Sequence, residues 1–135
     1  MNVLTVTSSV SRRAGGLFES VRLLTSSVIP LGVGARVFGL RDEFTDADLP
    51  AWAPIPITAF VVRGPRRFGY APELQTALNR VDFDLMHCHG LWTYPSAATL
   101  VAARRRKARY VVSPHGSLDP WVMRKSRRKK LLALH

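Results

Sequence analysis

Cysteine is nearly missing: Cys88 is the only one in 135 residues. That excludes an internal disulfide framework and fits a reducing cytosol. Negative charge is scarce too, with nine acidic against twenty basic side chains. The uncharged stretch Leu49 to Val62 holds three prolines and is shorter than the roughly 20 apolar residues of a spanning helix. No transmembrane helix is expected. No basic segment precedes an extended apolar stretch at the N-terminus, so no secretory signal is expected and the expected location is cytoplasmic. Internal repeats and low-complexity linkers are absent. So are GxxxxGKS/T and GxGxxG, which leaves a P-loop ATPase and an ordinary dinucleotide site without support.

What is present fits a globular chain able to bury a core, with 47% hydrophobic and 21% charged residues. The positive excess is uneven. Residues 1–100 hold nine basic and eight acidic side chains, and residues 101–135 hold eleven basic and one acidic. Two clusters account for this: Arg104, Arg105, Arg106, Lys107 and Arg109, then Arg124, Lys125, Arg127, Arg128, Lys129 and Lys130. Such residues form a solvated face or attract anionic partners, which include lipid headgroups, nucleic acid and phosphorylated small molecules.

Short β-rich runs alternate with helical stretches. Strands are expected at Asn2–Thr7, Gly34–Leu40, Ile57–Val62, Asp84–His89 and Arg109–Ser113. Leu17, Val21 and Leu24 recur at helical spacing and predict a helix over Gly16–Thr25. Leu74 and Leu78 predict a short helix over Pro72–Arg80, and an Ala-rich helix is expected over Ser96–Lys107, opened by Pro95. Arg41 to Pro56, acidic and proline-rich, reads as loop. Asp119-Pro120-Trp121 reads as N-cap, first helical position and helix, continuing to His135. The alternation indicates an α/β fold with a Rossmann-like, doubly wound parallel sheet. Strand 1 should lie beside strand 4, with strand 5 beyond it as an unpaired edge.

Ligands in such sheets bind outside the carboxyl ends of the strands, where strand order reverses. Three glycine-bearing segments fall there: Ala14-Gly15-Gly16-Leu17, His89-Gly90-Leu91-Trp92 and Pro114-His115-Gly116-Ser117. Gly15 and Gly16 open a helix whose free N–H groups and dipole favour phosphate, or they form only a turn. His87 and His89 point to one face of the sheet, with Cys88 on the other as a small core residue. The expectation is that His87 packs under a helix and His89, at the mouth, is free to act. His115, between a stiffening proline and a permissive glycine, is suited to bond a sugar hydroxyl or a phosphate, or to cap the following turn.

Val3-Leu4-Thr5-Val6 leading to Ala14-Gly15-Gly16, then Asp84-Leu85-Met86-His87-Cys88-His89-Gly90-Leu91-Trp92, resemble retaining GT-B glycosyltransferases of the family 4 (group 1) type. Tyr110-Val111-Val112-Ser113-Pro114-His115-Gly116-Ser117-Leu118-Asp119-Pro120-Trp121 resembles the same family most strongly. The resemblance implies two Rossmann-like domains facing a cleft, an acceptor-side N-terminal one and a donor-binding C-terminal one. A sugar passes from a nucleotide-diphosphate donor to an acceptor glycan or lipid hydroxyl, with retention, and without metal or other cofactor. It implies His115 as the catalytic residue beside the transferred sugar, with Gly116 and Ser117 binding substrate next to it. Gly15 and Gly16 would approach the donor diphosphate or the acceptor, and His89 and Gly90 would line the acceptor side. The family is usually near three times this length, and its acidic E-x7-E motif belongs to the second domain; Glu19, Glu43 and Glu73 lack that spacing. Residues 1–135 are therefore read as an N-terminal fragment, a truncated gene product or a split partner whose donor domain is a separate chain, ending inside a helix and inactive without that domain. Trp121, Arg124, Lys125, Arg128 and Leu132 are candidates for peripheral contact with the anionic inner face of a membrane.

Three rivals stand beside this reading. One is a metal-dependent hydrolase using His87, His89 and His115, with Asp119 as a further ligand. Another is a nucleic-acid-binding module built on the basic residues, though Trp121 is the only aromatic among them available for stacking. The third is an inert remnant with the same fold.

Overall fold

Five short apolar runs become the strands of one parallel sheet: β1 Asn2–Thr7, β2 Gly34–Leu40, β3 Ile57–Phe60, β4 Leu85–His89 and β5 Arg109–Ser113. The spatial order is β3-β2-β1-β4-β5. The computed structural model describes residues 1–125 and 127–133. The helices are α1 Gly16–Val28, α2 Thr45–Asp48, α3 Pro72–Arg80, α4 Tyr94–Arg106, α5 Pro120–Arg124 and α6 Arg127–Ala133. The α/β, Rossmann-like fold expected from the alternation is the one observed, with strand order reversing between β1 and β4.

The two faces of the sheet are covered unequally. Leu4, Val6 and Met86 pack on one face with Leu74 and Leu78 of α3 and Ala98, Ala102 and Ala103 of α4. The small alanines let α4 lie close to the strands. Arg106 ties the two helices together: its guanidinium donates to the carbonyls of Leu78 and Val81, each at 2.7 Å, and stacks on the Phe83 ring. On the other face Val37 packs with Phe18 and Val21 of α1, Trp52 and Ile55. Ile57 and Ala59 of β3 pack against the same cluster. Tyr110 and Val111 of β5, which point to opposite faces, are both about half exposed. β5 pairs with β4 alone among the described residues, so it forms one edge of the sheet.

Several boundaries differ from expectation. Strand β3 stops at Phe60, not Val62, and α1 runs on to Val28 before a 3-10 turn at Ile29–Leu31. Helix α4 starts at Tyr94 with Pro95 in its first turn, where a missing N–H costs nothing. The Arg41–Pro56 segment is not plain loop: it contains α2 and a 3-10 turn at Leu49–Trp52, and Trp52 is fully buried. Pro120 does open a helix, but Asp119 makes no side-chain cap, and the helix breaks at Lys125, whose backbone is extended. Like charges three and four residues apart (Arg124 with Arg127 and Arg128, Lys125 with Arg128 and Lys129) disfavour one continuous helix there. The expected end at His135 lies outside the described residues, as do Ser126, Leu134 and the side chain of Leu132.

Candidate functional site

The loop after β1 is held from below by carboxylates of the segment after β2. Asp42 accepts from the hydroxyls of Ser9 and Ser11, each at 2.8 Å, and from the Phe44 N–H at 2.9 Å. Burial alone would raise the Asp42 pKa, but these hydrogen bonds outweigh it and lower it. Asp48 accepts from the Arg12 backbone N–H at 2.7 Å and forms a two-pronged pair with the Arg12 guanidinium, which holds its carboxyl below the usual range. Trp52 donates its indole N–H to the Val10 carbonyl at 2.8 Å. The loop therefore arrives rigidly at Gly15, whose φ of 59° and ψ of −133° suit glycine and strain any other residue. Open space surrounds the position a Cβ would take at both Gly15 and Gly16. Gly16 begins α1, whose first turn has no side-chain cap and whose Phe18 N–H donates to the Gly15 carbonyl at 3.1 Å.

The second half of the site lies at the ends of β4 and β5. His87 Nε2 and Ser113 Oγ are 2.7 Å apart, and His89 Nδ1 and His115 Nε2 are 2.8 Å apart. The three imidazoles form a ladder: ring centres are 4.0 Å apart for His87 and His89, and 5.1 Å for His89 and His115. His115 sits at φ 48°, a left-handed conformation that costs a non-glycine residue about 1–2 kcal/mol, and Gly116 follows at φ 80°. The turn is closed by Ser117 N–H to Pro114 O and Asp119 N–H to Gly116 O. Trp92, itself at φ 68°, reaches over to donate to the Ser117 carbonyl, and the Gly90 N–H donates to Ser113 O at 2.8 Å.

The histidine expectation was inverted. His89 is 3% exposed, while His87 is only half-buried. The cluster beneath α1 takes in β2 and β3 but no residue of β4 among the described residues, which leaves His87 half-buried, whereas His89 is enclosed between two other rings. Burial, then the neighbouring histidines, pushes the His89 pKa down to about 3, and burial lowers that of His87 as well. Cys88 lies on the opposite face as expected, and burial pushes its thiol up to about 11, far from a nucleophilic thiolate.

The structure thus gathers His87, His89, Gly90, His115, Gly116 and Ser117 into one constellation. Gly15 and Gly16 lie on the segment that follows β1, whose last residue, Thr7, is in register with His89, and His89 with Ser113. A family model described as a glycosyl transferase 4-like domain matches residues 5–135. The chain belongs to this family. Glycosyl transfer is the general chemistry of such a domain, and the parallel sheet with its flanking helices is that of a GT-B half. Comparison with curated proteins and with solved structures gave no match.

Within this glycosyl transferase 4-like domain the rival readings find no geometric footing. His89 is hydrogen-bonded to His115 and His87 to Ser113, and no group of three His, Cys, Asp or Glu among the described residues is arranged to hold a metal ion. The basic residues form two separate clusters. Arg104, Arg105, Arg106 and Arg109 lie where α4 ends and β5 begins, beside a groove of about 500 Å³ lined by Thr76, Asn79, Arg80, Arg105 and Arg106. Arg124 and Lys125 lie beyond the other end of β5, past the His115 turn. No helix among the described residues is long and apolar enough to cross a membrane. Sequence reasoning missed the supporting residues Ser9, Ser11, Arg12, Asp42, Asp48 and Trp92. A serine-rich loop facing an acidic segment was the available signal for the first five.

Proposed function

We propose that residues 1–135 form the acceptor-side half of a retaining glycosyltransferase that uses a nucleotide-diphosphate sugar. His115 contacts the transferred sugar, and Gly116 and Ser117 bind substrate beside it. Gly15 and Gly16 bring backbone N–H groups to the donor diphosphate or the acceptor, and Gly90 lines the acceptor side. The observation that carries this is the strained His115 turn at the carboxyl end of β5, held by His89 at the end of β4 and by Trp92 of the loop that follows it. The chemistry suits the groups present: charge leaving on a diphosphate is met by backbone N–H donors, with no nucleophilic side chain required. Most donor contacts in a GT-B pair come from the second domain, so these residues alone turn over no sugar.

The acceptor is a glycan or lipid hydroxyl. Trp121, 74% exposed, with the exposed Arg124, Lys125 and Arg128, favours peripheral contact with an anionic membrane. The test of the site is a backbone amide shift titration of the 135-residue chain with UDP-glucose, GDP-mannose and inorganic pyrophosphate. Shifts at Gly15, Gly16 and His115–Ser117 are expected. Shifts confined to the groove at Arg80 and Arg105, or none, would refute it.

A further inference from the structure

The His89–His115 pair carries a consequence for which nitrogen of His115 meets the sugar. His89 is enclosed at 3% exposure, and the titratable groups facing it are His87 and His115. A neutral imidazole has one N–H and one lone pair, and a protonated one has two N–H donors and no lone pair. His115 is exposed, whereas His89 is buried between two rings, where a positive charge is disfavoured. If His89 donated from Nδ1, His115 would have to accept at Nε2, and the bond would break whenever His115 is protonated. If His89 accepts at Nδ1, the 2.8 Å bond survives in both states of His115.

We propose that His89 is a positioning residue: its Nδ1 accepts the Nε2–H of His115 and leaves Nδ1 of His115 as the nitrogen presented to the cleft. His89 then touches no substrate, in contrast to the substrate-binding role that its place in the sequence suggests. Neutral His115 offers its Nδ1 lone pair to a sugar hydroxyl, and protonated His115 offers Nδ1–H to an anionic oxygen. Ser113, bonded to His87 at 2.7 Å, pins the first ring of the ladder, so His89 is held from the side opposite His115. The inference rests on the reading of His115 as the sugar-contacting residue.

Long-range 1H–15N correlation spectra of the 15N-labelled 135-residue chain at about pH 8 distinguish the tautomers. The chain has four histidines, so assignment by single substitution is direct. The expected wild-type pattern is one tautomer for His115, with Nε2 protonated and Nδ1 carrying the lone pair. In His89→Phe, which keeps a ring and removes the acceptor, the two His115 nitrogens should shift towards an averaged mixture. In His89→Asn, whose Oδ1 replaces the lost acceptor, the wild-type pattern should return. A wild-type His115 that is averaged or protonated at Nδ1 overturns the proposal, and so does a folded His89→Phe with an unchanged pattern. If His89→Phe does not fold, the wild-type spectrum decides alone. These spectra need no sugar, so their failure is separate from failure of the amide titration that tests the site.

Discussion

Trp92 donates its indole N–H to the carbonyl oxygen of Ser117 at 2.8 Å, so the segment after β4 clamps the turn that carries His115. Trp92→Phe keeps the ring and loses the donor. The expected cost is about 1 kcal/mol, the usual worth of a single hydrogen bond. The more telling readout is local: amide exchange should accelerate at Gly116 and Ser117 while β1 and α3 stay protected. Uniform acceleration throughout the chain would argue against a clamp.

Acid should weaken the fold in two stages. His89, held near 3, and His87, also lowered, are neutral in the folded state where the unfolded chain takes up protons below about 6.5. The unfolded state binds more protons there, so stability falls with pH, by up to about 1.4 kcal/mol per unit for each such histidine. Asp42 and Asp48 have depressed pKa values, so their contribution is present above about 3.9 and is lost as pH falls through their lower folded values. Urea melts from about pH 7 to 4.5 should show a shallower slope for His89→Phe than for wild type. Equal slopes would contradict the assignment.

The two adjacent glycines should separate structure from function. Gly15→Ala forces a side chain into φ 59°, ψ −133° and should cost about 1–3 kcal/mol in denaturant melts. Gly16→Ala meets open space in ordinary helical backbone, so stability should hold within about 0.5 kcal/mol. Its methyl would nevertheless stand over the first turn of α1, and pyrophosphate binding by amide shift should weaken at least severalfold. Unimpaired binding by Gly16→Ala would remove phosphate from that turn.

Membrane contact should depend on one basic cluster only. Flotation with anionic vesicles should be lost in Arg124→Glu/Lys125→Glu and at high salt, and kept in Arg104→Glu/Arg105→Glu. Equal loss in both variants would point to non-specific attraction by net charge.

The sheet was legible because its central parallel strands read as largely apolar runs: Val3 to Val6 and Leu85 to Cys88 needed no context. The rim was legible because glycine and proline punctuate it at 15–16, 90, 114 and 116. What failed depends on cover. Alternation places His87 and His89 on one face, but only the arrival of His115 from the turn after β5 decides which of them is enclosed. The supports were hidden for a similar reason. Asp42 and Asp48 lie some thirty residues from the serines and arginine they hold, and nothing local in an acidic segment says which charges turn inward.

β5 ends the sheet with Tyr110 and Val111 about half exposed, and among the described residues no strand pairs with its outer edge, the kind of edge that templates another strand. The run Arg104 to Arg109 at its base adds positive charge beside that seam, and like-charged copies repel as they approach. The repulsion is ionic and fades as salt shortens its range. Colloidal behaviour should therefore run opposite to membrane attachment: low ionic strength keeps the molecules apart, and high ionic strength lets one sheet grow into the next.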